Sequence, residues 1–87
     1  MLTRHLARDL AKRNVRVNAI APGLFESKMT AFKFDEESMR DQIVSRIPLG
    51  RIGTPEDIGG TAIWLSSRAG AYITGAVIPV SGGYATL

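Results

Sequence analysis

At 87 residues the chain holds one small domain at most. Its 45% hydrophobic content is ordinary for a globular protein, and its net charge of +3 is scattered among acidic residues rather than gathered in a stripe, which argues against a nucleic-acid surface. The absence of cysteine excludes disulfides and thiolate metal sites, no apolar run reaches the length of a membrane span, and a cytoplasmic location is expected.

The first ten residues, MLTRHLARDL, are amphipathic and too charged for a signal peptide. Leu2, Leu6 and Leu10 recur every four positions, with Ala7 and Ala11 beside them, so the spacing predicts a helix over residues 2–13. Asp9 can pair with His5 and Arg13 at helical spacing. The pattern is already running at residue 2 with no cap before it, as though the helix began further upstream. Asn14 suits the left-handed position that closes a helix.

Residues 15–21 read as a strand. Val15, Val17, Ala19 and Ala21 alternate with Arg16, Asn18 and Ile20, so its second half is apolar on both faces. Such a pattern fits a parallel strand covered by helices on both sides. Pro22 cannot donate to a ladder and Gly23 frees the backbone, so pairing is expected to end there.

Asp35, Glu36 and Glu37 mark the start of a second helix, where its dipole favours negative charge; a metal site is the weaker reading of these carboxylates. Met39, Ile43 and Ile47 form its apolar stripe, and Pro48 stops it. Thr54-Pro55-Glu56-Asp57 then supplies a cap, a proline at the first helical position and a carboxylate three residues after the cap. The third helix runs to about Ser66, with Ile58, Ala62 and Leu65 expected inside. Gly59 and Gly60 carry a propensity cost that close packing would explain. Residues 76–80 are expected to form a second strand, where Pro79 points to a sheet edge or to an open side that meets another chain differently.

The order helix, strand, helix, helix, strand is an α/β arrangement with a parallel crossover. Two strands cannot bury both faces of their own sheet. The 87 residues are therefore expected to be the C-terminal part of a larger doubly wound domain.

Three stretches carry a resemblance: VRVNAIAPG, IPLGRIGTPEDIGGTAIWLSS and YITGAVIPVSGG. In order and spacing they resemble the C-terminal portion of the short-chain dehydrogenase/reductase family, a Rossmann-type fold, over nearly the whole chain. PGLFESKMTAF and AGAYITGAVIPVSGGY look most like the branch of 3-oxoacyl-(acyl-carrier-protein) reductases and their rhamnolipid-pathway relatives.

The resemblance implies an oxidoreductase that moves hydride between a nicotinamide cofactor, NAD or NADP with NADP preferred, and a small carbonyl or alcohol substrate such as a 3-oxoacyl thioester. It places Pro22 and Gly23 against the nicotinamide ring, the Phe25 backbone at the carboxamide, and the Ser27 hydroxyl where a cofactor-contacting Thr is usual. A backbone amide and a hydroxyl suit a carboxamide, which offers one acceptor and one donor group. Residues 28–50 would be a mobile segment on the substrate side, and the full-length form a homodimer or homotetramer.

The departures bear equally on function. No GxGxxG occurs, and the Tyr-x-x-x-Lys pair would fall upstream, with its Lys a few residues before Met1. Tyr72 and Tyr84 lack a Lys three residues on, and Ser81 stands where the family usually shows Asp. No catalytic residue and no metal ligand is expected among these residues. The alternative is a catalytically inactive truncated chain acting through subunit contacts; an independent binding module has least support. Asn18 reads as a structural strand residue, His5 as a surface group, Arg51 as a loop anchor, and Trp64 and Leu65 as packing groups, within the chain or across a subunit boundary.

Overall fold

The computed structural model describes residues 1–25 and 37–84. Its elements are α1 (Leu2–Leu10), continued by a 3-10 turn at Ala11–Arg13, then β1 (Ala19–Pro22), α2 (Glu37–Ser45), α3 (Pro55–Ser66) and β2 (Val77–Val80). The strands form a two-stranded parallel sheet with Ala19 opposite Val77 and Pro22 opposite Val80. Helix α3 lies against both strands. Among the described residues no helix is long and apolar enough to cross a membrane.

Helix α1 tightens into its 3-10 turn and closes as expected on Asn14, which takes φ 61° and donates its N–H to Ala11 C=O at 2.9 Å. Its leucine stripe is not its buried face. Ala7 is the buried residue, packed towards Gly75, whereas Leu2 and Leu6 are exposed because nothing among the described residues lies opposite them. Asp9 pairs with neither His5 nor Arg13; the ion pair found among the described residues joins Arg51 to Asp57.

The first strand starts four residues later than the alternation predicts, because side chains interrupt the ladder. The Val17 N–H goes to Thr74 Oγ1 at 3.1 Å, and Asn18 donates through Nδ2 to Ile73 C=O at 2.9 Å. Asn18 Oδ1 in turn accepts the Ala76 N–H at 3.0 Å. Gly75, at φ 77°, bends the partner chain out of extended geometry until residue 76. The Gly75 N–H also donates to Val17 C=O at 2.7 Å, so residues 15–18 are held to 73–76 by side chains and a single backbone bond among the described residues. The structural reading of Asn18 holds.

Pairing also continues through Pro22 instead of ending at it. Ala19 donates to Ala76 C=O and Gly23 to Val80 C=O, both at 2.9 Å, so the odd-numbered residues of β1 face β2. Pro22 therefore turns its missing donor outward and costs the ladder nothing. Pro79, opposite Ala21, does the same on the far side of β2, as its edge position requires.

Helix α2 ends at Ser45, whose hydroxyl donates to Gln42 C=O at 2.7 Å, three residues before Pro48. Ile47 is buried, Ile43 half-buried and Met39 exposed. The cap expected at Asp35 and Glu36 lies outside the described residues. Helix α3 has the predicted bounds. The Asp57 carboxylate accepts the Thr54 N–H at 2.7 Å and Thr54 Oγ1–H at 3.1 Å, completing the cap. At its other end Arg16 Nη1 donates to Leu65 C=O at 2.6 Å and Gly70 C=O at 2.5 Å, placing a cation where the helix dipole is negative.

Ala7, Ile47 and Leu65 are the buried apolar residues among those described. Ala62, expected inside, is exposed because it borders an open cleft of about 500 Å³ beside Arg16 and Asn18. Gly59 and Gly60 have open space where a Cβ would stand, so packing within these residues does not account for them.

Candidate functional site

Three segments meet beyond the carboxyl ends of the strands: residues 23–25 after β1, 51–53 before α3, and 81–83 after β2. Two glycines bring them together by close approach. A Cβ on Gly23 would stand 2.7 Å from both Cα and Cβ of Ser81, and one on Gly53 would fall on the Phe25 ring. Neither glycine has a positive φ, so space rather than conformation demands them. The Gly53 N–H donates to Leu24 C=O at 3.1 Å, forming an isolated parallel bridge between Phe25 and Gly53. The Leu49 N–H reaches Gly82 C=O at 2.9 Å, which ties the end of the α2 segment to the turn after β2.

A cavity of about 430 Å³ opens at the end of β1, walled by Pro22, Gly23 and Phe25 on one side and by Gly53, Pro55 and Ile58 on the other. A second, of about 470 Å³, lies across the Phe25 ring and includes Leu24, Trp64, Val80 and Ser81. Three of the four predicted site residues thus share one wall. Ser27 lies outside the described residues. Gly53, Pro55 and Ile58 were missed by sequence reasoning, although the Gly-x-Pro run just before an amphipathic helix signals a loop that can approach another backbone.

Among the described residues the first cavity has no charged side chain in its walls. The N-terminus of α3 borders it but is no anion cradle, since Asp57 occupies it. Arg51 grips that carboxylate with two bonds, 2.8 and 3.2 Å, and so anchors the loop as predicted. The guanidinium, then the Thr54 N–H, hold the Asp57 carboxyl well below the usual carboxylate range, and Asp57 raises Arg51 in return. A parallel bridge centred on Phe25 uses its neighbours' peptide groups, so its own N–H and C=O point away from Gly53; neither has a partner among the described residues. One donor and one acceptor on an apolar wall suit a flat group carrying an amide. They supply no acid or base.

Residues 1–85 match the family model described as Enoyl-(Acyl carrier protein) reductase. The chain belongs to the short-chain dehydrogenase/reductase family. It is 47% identical over 81 residues to the 3-oxoacyl-(acyl-carrier-protein) reductase FabG of Aquifex aeolicus, covering 93% of this chain and 32% of that protein. To the rhamnolipids biosynthesis 3-oxoacyl-(acyl-carrier-protein) reductase of Pseudomonas aeruginosa it is 43% identical over 83 residues, 95% of this chain and 32% of the other. The solved Pseudomonas aeruginosa RhlG/NADP active-site complex superposes with a TM-score of 0.90 at 43% identity, covering 95% of this chain and 32% of that one. The family member described here thus spans about a third of the length of these relatives. Its α/β fold with a parallel sheet is the corresponding part of their Rossmann-type fold.

Proposed function

We propose that these residues form the nicotinamide-side wall of an NAD(P)-dependent oxidoreductase that moves hydride between the cofactor and a small carbonyl or alcohol substrate. The observation that carries the reading is the apolar cavity at the end of β1, walled by Pro22, Gly23 and Phe25 beside a Phe25 peptide group without a partner among the described residues. NADP is the favoured dinucleotide, as it is the one in the RhlG complex, and a 3-oxoacyl thioester is the favoured substrate, after the names of the two reductases. The nicotinamide, when bound, supplies or accepts the hydride. The residues of this chain bind and orient it. Pro22, Gly23 and Ile58 exclude water from the ring, the Phe25 backbone meets the carboxamide, and Ser27 adds a hydroxyl to it. Residues 28–50 lie on the substrate side of a single Rossmann-type domain in the cytoplasm.

The 87 residues contain neither a Tyr-x-x-x-Lys pair nor a Gly-rich phosphate loop, so by themselves they are expected to give no turnover. A second reading, an interaction fragment, is favoured by the outer face of α3, where Ile63 is 71% exposed and Gly59 and Gly60 face open space. In the natural-length protein we assign that face, with β2, to a two-fold contact in a homodimer or homotetramer.

The test is fluorescence titration of the natural-length protein with NADPH and NADH. Micromolar or tighter binding of one of them is expected, and Ser27→Ala should weaken it by about 0.5–1.5 kcal/mol, the net value of one hydrogen bond. Binding of neither dinucleotide would remove the reading, and an unchanged affinity in the variant would remove the role of Ser27.

A further inference from the structure

Gly53 stands between two fixed neighbours. On one side its N–H is bonded to Leu24 C=O, and the place a Cβ would take is filled by the Phe25 ring. On the other, the loop cannot retreat, because Arg51 and the Thr54 N–H both hold the Asp57 carboxylate in the first turn of α3. Any side chain at position 53 must therefore push the ring. Phe25 lines both cavities, of about 430 and 470 Å³, so it is the partition between them, and moving it takes volume from one and gives it to the other.

We infer that Gly53 is a positioning residue: by carrying no side chain it seats the Phe25 ring and so sets the shape of the nicotinamide-side cavity. This inference rests on the functional reading given above for that cavity. The substitution Gly53→Ala moves the ring and carries the adjoining Phe25 peptide group with it, so its effect falls on cofactor affinity and on KM for the cofactor, ahead of KM for the carbonyl substrate. Truncation of the ring in Phe25→Ala frees the space a methyl group needs at position 53.

The experiment measures NADPH affinity of the natural-length protein for wild type, Gly53→Ala, Phe25→Ala and the double variant. Gly53→Ala should weaken binding by about tenfold, in keeping with the sensitivity of bound cofactors and substrates to sub-ångström misplacement. In the double variant the Gly53 change should add nothing to Phe25→Ala, because the clash is gone. Unchanged affinity in Gly53→Ala, or additive losses in the double variant, overturns the inference. A second measurement reads the ring itself: fluorine NMR of protein labelled with 4-fluorophenylalanine, the Phe25 line being assigned by its loss in Phe25→Leu. Gly53→Ala should shift that line, and an unmoved line overturns the inference even if affinity falls. Should the wild type bind neither NADPH nor NADH, the reading of the cavity falls, and the fluorine line still decides whether Gly53 seats Phe25.

Discussion

Replacement of Arg16 tests how the end of α3 is held. A single nitrogen, Nη1, serves both Leu65 C=O and Gly70 C=O, at 2.6 and 2.5 Å, from a half-buried position. Hydrogen bonds to a charged group are worth about 1.5–3 kcal/mol each, and partial exposure places these at the low end, so Arg16→Met, which keeps the stem and loses both bonds, should cost about 3 kcal/mol. Because one nitrogen does the bonding, an ammonium can stand in for it. Arg16→Lys should therefore cost under about 1 kcal/mol, the remainder being the fit of a shorter reach. Urea unfolding of the natural-length protein at pH 7 measures both, with constant slope as the condition for comparison. Hydrogen exchange at the Gly70 and Ala71 amides, bonded to Ser67 C=O and Arg68 C=O, should quicken in Arg16→Met and not in Arg16→Lys. Equal losses in Lys and Met would refute the reasoning, since shape and packing of the guanidinium would then matter more than its two bonds.

The other expectations are independent of that clamp. Gly23→Ala brings a Cβ to 2.7 Å from Ser81 Cα, a backbone atom that cannot swing aside, and should destabilise by about 1–3 kcal/mol in thermal or urea unfolding. Asp57 titrates below its ordinary value of 3.8, so its contribution is present above that pH and is lost as pH falls below it. Acid unfolding should accordingly be steeper below pH 4 (about the ordinary Asp value) in the wild type than in Asp57→Asn. Placing a charge on the outer face of α3 with Ile63→Glu should lower the oligomer order seen by light scattering without loss of helix by circular dichroism; an unaltered mass would move the contact elsewhere.

What could be read in advance depended on how local its cause was. The start of α3 was legible because Thr54, Pro55 and Asp57 carry the whole cap within four residues. Asn14 was legible for the same reason. The start of β1 was not, because it is set by Thr74 and Gly75, more than fifty residues away: a side-chain acceptor and a positive φ there replace a regular ladder over residues 15–18, leaving the Gly75 N–H on Val17 C=O as the backbone bond. Ala62 and the leucines of α1 have the spacing of buried residues, yet spacing cannot say whether another element stands opposite. At the site, Pro22, Gly23 and Phe25 came from the resemblance, which indexes the end of a strand, whereas the opposing wall of Gly53, Pro55 and Ile58 belongs to a different segment and shows only in the fold.

The outward-facing prolines have a consequence for self-association. On the outer side of β2, Val77 still offers an N–H and a C=O, but Pro79 offers a carbonyl alone, so an incoming strand meets one donor where two would be needed to register. On the outer side of β1, Ile20 is a competent position and Pro22 caps the run two residues later. The β2 margin of these two strands therefore cannot template an endless ladder of like copies. Any strand that lies beside β1 finds its full complement of bonds only up to Ile20, and the residues beyond, where the cavity opens, stay outside the ladder.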